Sequence, residues 1–226
     1  MRTSPPPITP ADAIARDLLA VGAVSLRPDA PFTWASGRLS PVYTDNRLLL
    51  SVPDVRDRVA EAFLGALQPL GGDVDAVSGT ATAGIPHGAL LADRARLPFS
   101  YVRGAAKGHG RQNRIEGRVA AGQRVVLVED LVSTGGSVLS AAEALREAGA
   151  EVAAVLAVFS YGFAEADRAF DAAGVPLVTL TDFAALAREY SDDSATANQG
   201  GDLGWVQPQQ QRLDPVTRRQ LEALAP

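Results

Sequence analysis

Cysteine is absent from the 226-residue chain, which excludes disulfides, thiol nucleophiles and cysteine metal sites. Histidine occurs only as His87 and His109, so a histidine-rich metal cluster is excluded too, and any required metal has to be held by oxygens or carried by a bound molecule. No apolar run approaches the roughly 20 residues of a membrane span. The proline-rich start, Met1 to Pro10, also lacks the apolar core of a secretory leader. A cytoplasmic protein without a membrane partner is the expectation. A basic stripe is missing as well: the net charge is −5 with acids and bases interspersed, which argues against nucleic acid as a partner. No repeat of fixed period is visible, so a solenoid is excluded.

What the chain does have is a hydrophobic fraction of 46%, enough for one well-buried core. Its most informative stretch is Val125-Val126-Leu127-Val128-Glu129-Asp130-Leu131-Val132-Ser133-Thr134-Gly135-Gly136-Ser137. The brief β-branched run reads as a strand of a parallel sheet, buried on both faces. After the Ser/Thr/Gly turn, Val138, Leu139, Ala142 and Leu145 share one face of a helix closed by Gly149. A strand, a glycine turn and a helix N-terminus make an anion site, because unpaired backbone N–H groups and the positive end of the helix dipole converge there. No lysine precedes the hydroxyl and the glycines are adjacent, so this is neither a Walker A loop nor G-x-G-x-x-G. Carboxylates one loop away from a phosphate site are placed to accept hydrogen bonds from sugar hydroxyls, which suggests a ribose 5-phosphate.

This string resembles the phosphoribosyl-diphosphate (PRPP) motif of the type I phosphoribosyltransferases. The resemblance implies that Glu129 and Asp130 hold the ribose 2′ and 3′ hydroxyls. It also implies that Leu131, Val132, Ser133, Thr134, Gly135, Gly136 and Ser137 wrap the 5-phosphate. Gly79-Thr80-Ala81-Thr82-Ala83-Gly84 follows another expected strand, Val74 to Ser78, and precedes a helix from Ile85 to Ala95. Its small residues either admit a diphosphate close to the backbone or simply allow a sharp turn; by resemblance Thr80, Ala81 and Thr82 bind PRPP. His87 reads as a surface or packing histidine.

Two further stretches narrow the resemblance. Phe32-Thr33, Ser36-Gly37, Ser40-Pro41, Tyr43, Asp45 and Arg47 read locally as a hairpin. Their spelling is similar to the N-terminal hood of the orotate phosphoribosyltransferases, which closes over the pyrimidine. Orotate would then meet Ser36, Arg47 and Ser133, with Arg47 offering its carboxylate a fork that lysine would not match. After a strand at Phe99 to Val102 comes a stretch with almost no apolar content, carrying Arg103, Lys107, His109, Arg111 and Arg114. A long connection of this kind between core strands favours a lid. It resembles the family's catalytic loop, which implies that Arg103, Lys107 and His109 reach the diphosphate, across the interface of a homodimer.

The expected reaction is transfer of phosphoribosyl from PRPP to orotate, giving orotidine 5′-monophosphate and diphosphate, with Mg²⁺ carried mainly by PRPP near Glu129 and Asp130 and no direct metal ligand. Another base-specific phosphoribosyltransferase is an alternative that the hood spelling argues against. A non-catalytic PRPP-binding regulator is a second, for which no basic DNA-binding segment is visible. Several cations common in relatives are missing, at Ala35, Ala83 and Gly104-Ala105, and Ser160-Tyr161 stands where many relatives have Asp-Arg.

Strands alternating with helices predict an α/β class protein: a central, mostly parallel sheet with helices on both faces, the type I phosphoribosyltransferase fold, plus a small N-terminal hood. The expected division is a domain over 1–190, with the hood at about 22–50 and the loop at about 103–118, followed by a polar tail over 191–226. Within the domain, helices are expected from Pro10 through Val21, ending before Gly22, between Pro53 and Pro69, over Ala164 to Ala173 and over Asp182 to Tyr190. Strands are expected at Glu151 to Val158 and Val175 to Leu180. In the tail Trp205 is a candidate docking residue and Leu213 to Leu224 has amphipathic spacing, with no function assigned.

Overall fold

The structure is a computed structural model that describes residues 9–27, 30–33, 39–70, 73–104, 114–191 and 196–200. Thr9 caps the first helix, α1 (Pro10–Ala20), through a reciprocal capping box with Asp12, the arrangement that a hydroxyl, a proline and an early acid favour. The hood follows as β1 (Val24–Leu26), β2 (Phe32–Thr33), β3 (Leu39–Ser40) and β4 (Val42–Thr44). It is not one hairpin. β2 pairs with β3 while β4 turns away to pair antiparallel with β1. The switch falls at Pro41, which has no N–H to donate, and Ser40 Oγ takes over the local pairing by accepting from Val42 N–H at 3.2 Å.

A 3₁₀ turn over Asn46–Ser51 leads into α2 (Pro53–Leu67). The alternating core then runs β5 (Ala76–Thr80), α3 (Gly84–Ala95), β6 (Phe99–Val102), β7 (Ile115–Glu116), β8 (Arg124–Val132), α4 (Gly136–Glu147), β9 (Glu151–Ser160), α5 (Ala164–Ala173), β10 (Leu177–Asp182) and α6 (Phe183–Tyr190). The sheet order is β10-β9-β8-β5-β6-β7. All neighbours are parallel except β7, which pairs antiparallel with β6 and forms one edge. From β5 the chain steps outward to β6 and then returns to the other side for β8, so the strand order reverses between β5 and β8. Ligands of open α/β sheets bind at the carboxyl ends of the strands at such a point.

Side-chain alternation along β8 explains why both faces are covered. Val126 and Val128 pack with Ile14, Leu18, Val59, Phe63 and Leu91 of α1, α2 and α3, whereas Val125 and Leu127 pack with Val138, Leu145 and Phe170 of α4 and α5. α3 lies unusually close to β5 because both carry glycine at the contact. A Cβ on Gly79 would come within 2.9 Å of the Gly84 carbonyl, and one on Gly84 would collide with Thr80 Oγ1 and the Val128 carbonyl. His87 faces this packed layer and is 2% exposed, stacked edge-on against Phe63; it is a packing histidine.

Beyond α6 the polar character of the tail does not prevent order at its start. Ala197–Gln199 form a 3₁₀ turn with Ala197 buried, and Gly200 packs so near Ala184 that a Cβ would come within 2.6 Å of it. Within the expected lid span, Ile115 and Glu116 are strand rather than loop. No helix among the described residues is long and apolar enough to cross a membrane.

Candidate active site

At the carboxyl ends of β5, β8 and β9, beneath the hood, lies a cavity of about 790 Å³. From the sheet come Ala81, Thr82 and Ala83 after β5, and Glu129, Asp130 and Leu131 on β8. Ser133 and Ser137 follow β8, and Tyr161 follows β9. The hood contributes Thr33, Tyr43, Thr44, Asp45 and Arg47.

β8 is longer than its apolar run. It continues through Glu129, Asp130, Leu131 and Val132, with Leu131 opposite Phe159 and Val132 opposite Ser160. The expected 131–137 phosphate loop is therefore corrected. Leu131 and Val132 are strand, Ser133 to Gly135 form the turn, and Gly136 and Ser137 open α4. Gly135 caps the helix with φ 84°, a left-handed conformation that glycine adopts without steric cost. Ser133 and Ser137 line the cavity, while Val132, Thr134, Gly135 and Gly136 lie outside its lining. The unpaired N–H groups of α4's first turn and its dipole make this end attractive to an anion.

The acid pair is unlike two solvated carboxylates. Glu129 is 8% exposed and its Oε1 accepts from the Asp130 backbone N–H at 2.9 Å. Burial, reinforced by Asp130, pushes the Glu129 carboxyl up to about 8. Asp130 is half-buried beside it. Beneath them Thr80 is buried outside the cavity lining; its Oγ1 donates to the Val128 carbonyl at 3.2 Å, and its side chain also interacts with Glu129, partly offsetting that carboxyl's upward shift. Ala81 and Thr82 do line the cavity, joined by a cis peptide bond. Burial also pushes His87 down to about 4, against an opposing pull from Asp130.

On the hood side, Arg47 forks onto Asp45, with Nε 2.7 Å from Oδ1 and Nη2 2.8 Å from Oδ2. Each holds the other charged, Asp45 below the usual carboxylate range and Arg47 above its own. Arg103 lies outside the cavity lining. Its Nε lies 3.2 Å from Glu116 Oε1, and its backbone is tied to Arg114 in both directions. Ser36, Lys107 and His109 lie outside the described residues, as do Ala35, Ala105 and the tail from 201 onward.

Thr33, Tyr43, Thr44, Asp45, Ala83 and Tyr161 line the cavity without being among the expected site residues, although Thr33, Tyr43 and Asp45 belong to the hood spelling. Tyr161 is legible in the sequence only as a departure from a family spelling, yet it follows a central strand's carboxyl end, and that position is the signal that would find it. Its N–H donates to the Val132 carbonyl at 3.1 Å. Its ring stacks on Phe163 with centroids 5.7 Å apart, and burial raises its phenol. Among the described residues no group of three or more His, Asp or Glu could hold a metal ion. Two adjacent carboxylates fit a cation whose remaining ligands arrive with a bound molecule.

A crevice at the sheet's switch point, with an acid pair facing a helix N-terminus, is the arrangement of a phosphoribosyltransferase, and a model described as "Phosphoribosyl transferase domain" matches residues 48–187. An orotate phosphoribosyltransferase of Streptococcus agalactiae serotype III (strain NEM316) is 54% identical over 175 residues, 77% of this chain and 84% of that protein. Another, from Streptococcus pneumoniae serotype 19F (strain G54), is 49% identical over 196 residues, 87% of this chain and 93% of that protein. The crystal structure of orotate phosphoribosyltransferase from Aeropyrum pernix superposes with a TM-score of 0.70 at 35% identity, covering 78% of this chain and 97% of that one. The chain belongs to the phosphoribosyltransferase family and, within it, to the orotate phosphoribosyltransferases. A second model, a PPIC-type PPIASE domain, matches residues 175–220; among the described residues that segment includes β10 and α6, parts of the same sheet domain.

Proposed function

We propose that the protein transfers the phosphoribosyl group of PRPP to N1 of orotate in the cytoplasm, on the way to pyrimidine nucleotides. The observation that carries this reading is the single cavity that the Glu129–Asp130 pair, Ser133 and Ser137 line together with the hood residues Tyr43, Asp45 and Arg47. In the reaction a bond forms between orotate N1 and the ribose C1, and the proton that N1 carried passes to the departing diphosphate. The bond from C1 to the diphosphate oxygen breaks, its electron pair leaving with diphosphate. No protein nucleophile is required. Positive charge builds on the ribose and negative charge on the leaving group, so orientation and charge stabilisation carry the rate.

Each residue then has a role. Glu129 and Asp130 accept hydrogen bonds from the ribose hydroxyls and stay close to the developing cation. Ser133 to Ser137, with the first turn of α4, hold the 5-phosphate, and Ser133 also meets orotate. The backbone at Ala81 and Thr82, supported by Thr80, approaches the diphosphate. Arg103, Lys107 and His109 supply cationic charge to the diphosphate when the loop that carries them folds over and excludes water. Ser36 and Arg47 meet the base. Mg²⁺ bound to PRPP oxygens near Glu129 and Asp130 would neutralise the diphosphate.

The test offers the protein PRPP and Mg²⁺ with orotate, uracil, adenine or hypoxanthine in turn and follows base consumption. Orotate alone should disappear. Consumption of another base in its place, or PRPP binding without turnover of any, would move the protein to another specificity or to a regulatory role. The loop is tested by Lys107→Ala, which should lower kcat about tenfold or more with the fold intact.

A homodimer sharing each site across its interface is part of the proposal and rests on the family resemblance. Mixing Lys107→Ala with Asp130→Asn should restore activity toward about a quarter of wild type, because a hybrid dimer then contains one intact site. Mixtures that stay inactive after subunit exchange would show that the loop serves its own subunit.

A further inference from the structure

Two buried contacts fasten the hood to the strand ends. Asn46, the first residue of the 3₁₀ turn, has no exposed surface, and its Nδ2 donates to the Asp130 carbonyl at 2.6 Å, across 84 residues of sequence. Two residues earlier, Thr44 N–H donates to Tyr161 Oη at 3.2 Å. The first contact reaches the end of β8 and the second the end of β9.

Asn46 is not part of the cavity lining, but Asp45 and Arg47 on either side of it are, and so is Asp130, whose backbone it holds. Its own Oδ1 is buried without a hydrogen-bond partner among the described residues. Burying an amide with one end unsatisfied costs stability, and an apolar residue of the same size would avoid that cost. What an apolar residue could not supply is the donor to Asp130. The Asn46 backbone meanwhile leads directly into the Asp45–Arg47 fork, so one rigid residue spans the ribose side and the base side of the cavity.

We propose that Asn46 is a positioning residue that sets the register between the ribose-holding acids and the base-holding hood, with the Thr44–Tyr161 contact as its second anchor. The roles it links rest on the function proposed for the cavity. Without it both half-sites would still form, but N1 of the base and C1 of the ribose would no longer be held at reacting distance, and orientation on this scale carries much of the rate.

The experiment compares wild type with Asn46→Ala and with Asn46→Leu, which is close to asparagine in shape and has no donor. Steady-state kinetics are measured with PRPP, Mg²⁺ and orotate, and calorimetry gives the affinity and stoichiometry of PRPP alone. A ten-fold or greater loss of kcat in both variants is expected, with the Kd for PRPP within threefold of wild type and full binding stoichiometry. Tyr161→Phe should lower kcat as well, and its effect should be non-additive with that of Asn46→Ala, since both anchors serve one register.

Three results would overturn the proposal. They are kcat within twofold of wild type, a loss of rate matched by a loss of PRPP-binding stoichiometry, as misfolding would give, and a rise in the PRPP Kd that alone accounts for the lost rate. A wild-type protein that consumes no orotate would sink the enzymatic reading instead, and is distinguishable because it precedes any variant.

Discussion

Arg47 is held by Asp45 in a bidentate fork while its side chain stays 62% exposed. An exposed fork of this kind contributes little to stability, so its conformation is free to serve another purpose. A planar carboxylate entering the cavity competes with Asp45 for the same two N–H groups, and Asp45 in turn keeps the guanidinium aimed at the opening between visits. Arg47→Ala should therefore raise the KM for orotate about tenfold or more, the cost of one lost bidentate pair, while leaving the thermal midpoint almost unmoved. Arg47→Lys should recover only part of the loss, because an ammonium offers a point charge in place of a fork. Orotate kinetics unchanged in Arg47→Ala would assign the carboxylate to another group.

At the scale of elements, residues that no ligand touches shape the site. The close seating of α3 on β5 sets the height of the Ala81–Ala83 turn, and it depends on Gly84 having no Cβ. In Gly84→Ala the methyl would press on the Val128 carbonyl and on the Thr80 hydroxyl that donates to it. One of the two is backbone and cannot rotate away. Denaturant melts should show a loss of about 1–3 kcal/mol, and KM for PRPP should rise with it as the turn shifts.

Elements with local grammar are legible in the amino-acid sequence. The Thr9 cap, the Pro53 entry and the Ala164–Ala173 helix closed by Gly174 stand where their residues predict, because caps, proline and glycine act over a few residues. Strand ends are less legible. β5 and β10 each run two residues past their apolar pattern to Thr80 and Asp182, and β8 runs through two acids. In a parallel sheet the backbone pairing with a neighbouring strand continues whatever the side chain, here Glu129 to Val132 on β9 alone and Thr80 on β6, so polarity marks the site rather than the end of the strand. β7 spans two residues, too few for any periodicity. The Asn46–Asp130 contact leaves no trace in the sequence because its partner atom is a carbonyl, which every residue has.

For the whole molecule, two buried titratable groups act on stability in opposite senses. His87 has a folded value of about 4 against an ordinary 6.5, so its contribution is present above 6.5 and lost as pH falls toward 4. Glu129 has a folded value of about 8 against an ordinary 4.5, so its contribution is complete below 4.5 and lost as pH rises toward 8. Between 4.5 and 6.5 the two slopes oppose each other, each at most about 1.4 kcal/mol per pH unit. Above 6.5 only Glu129 remains, and these groups make the ligand-free protein less stable from there to pH 8. In Glu129→Gln that decline should flatten, whereas stability should still fall from pH 6.5 toward 4 through His87. The same linkage reaches the ligand. Ribose hydroxyls donate best to an ionised carboxylate, so binding of PRPP should expel the Glu129 proton and tighten as pH rises from 6.5 to 8. Calorimetry of PRPP binding at pH 7 in two buffers of different ionisation enthalpy should therefore report net proton release in the wild type and less in Glu129→Gln. Equal proton release in both proteins would mean that Glu129 does not change its charge when the ribose binds.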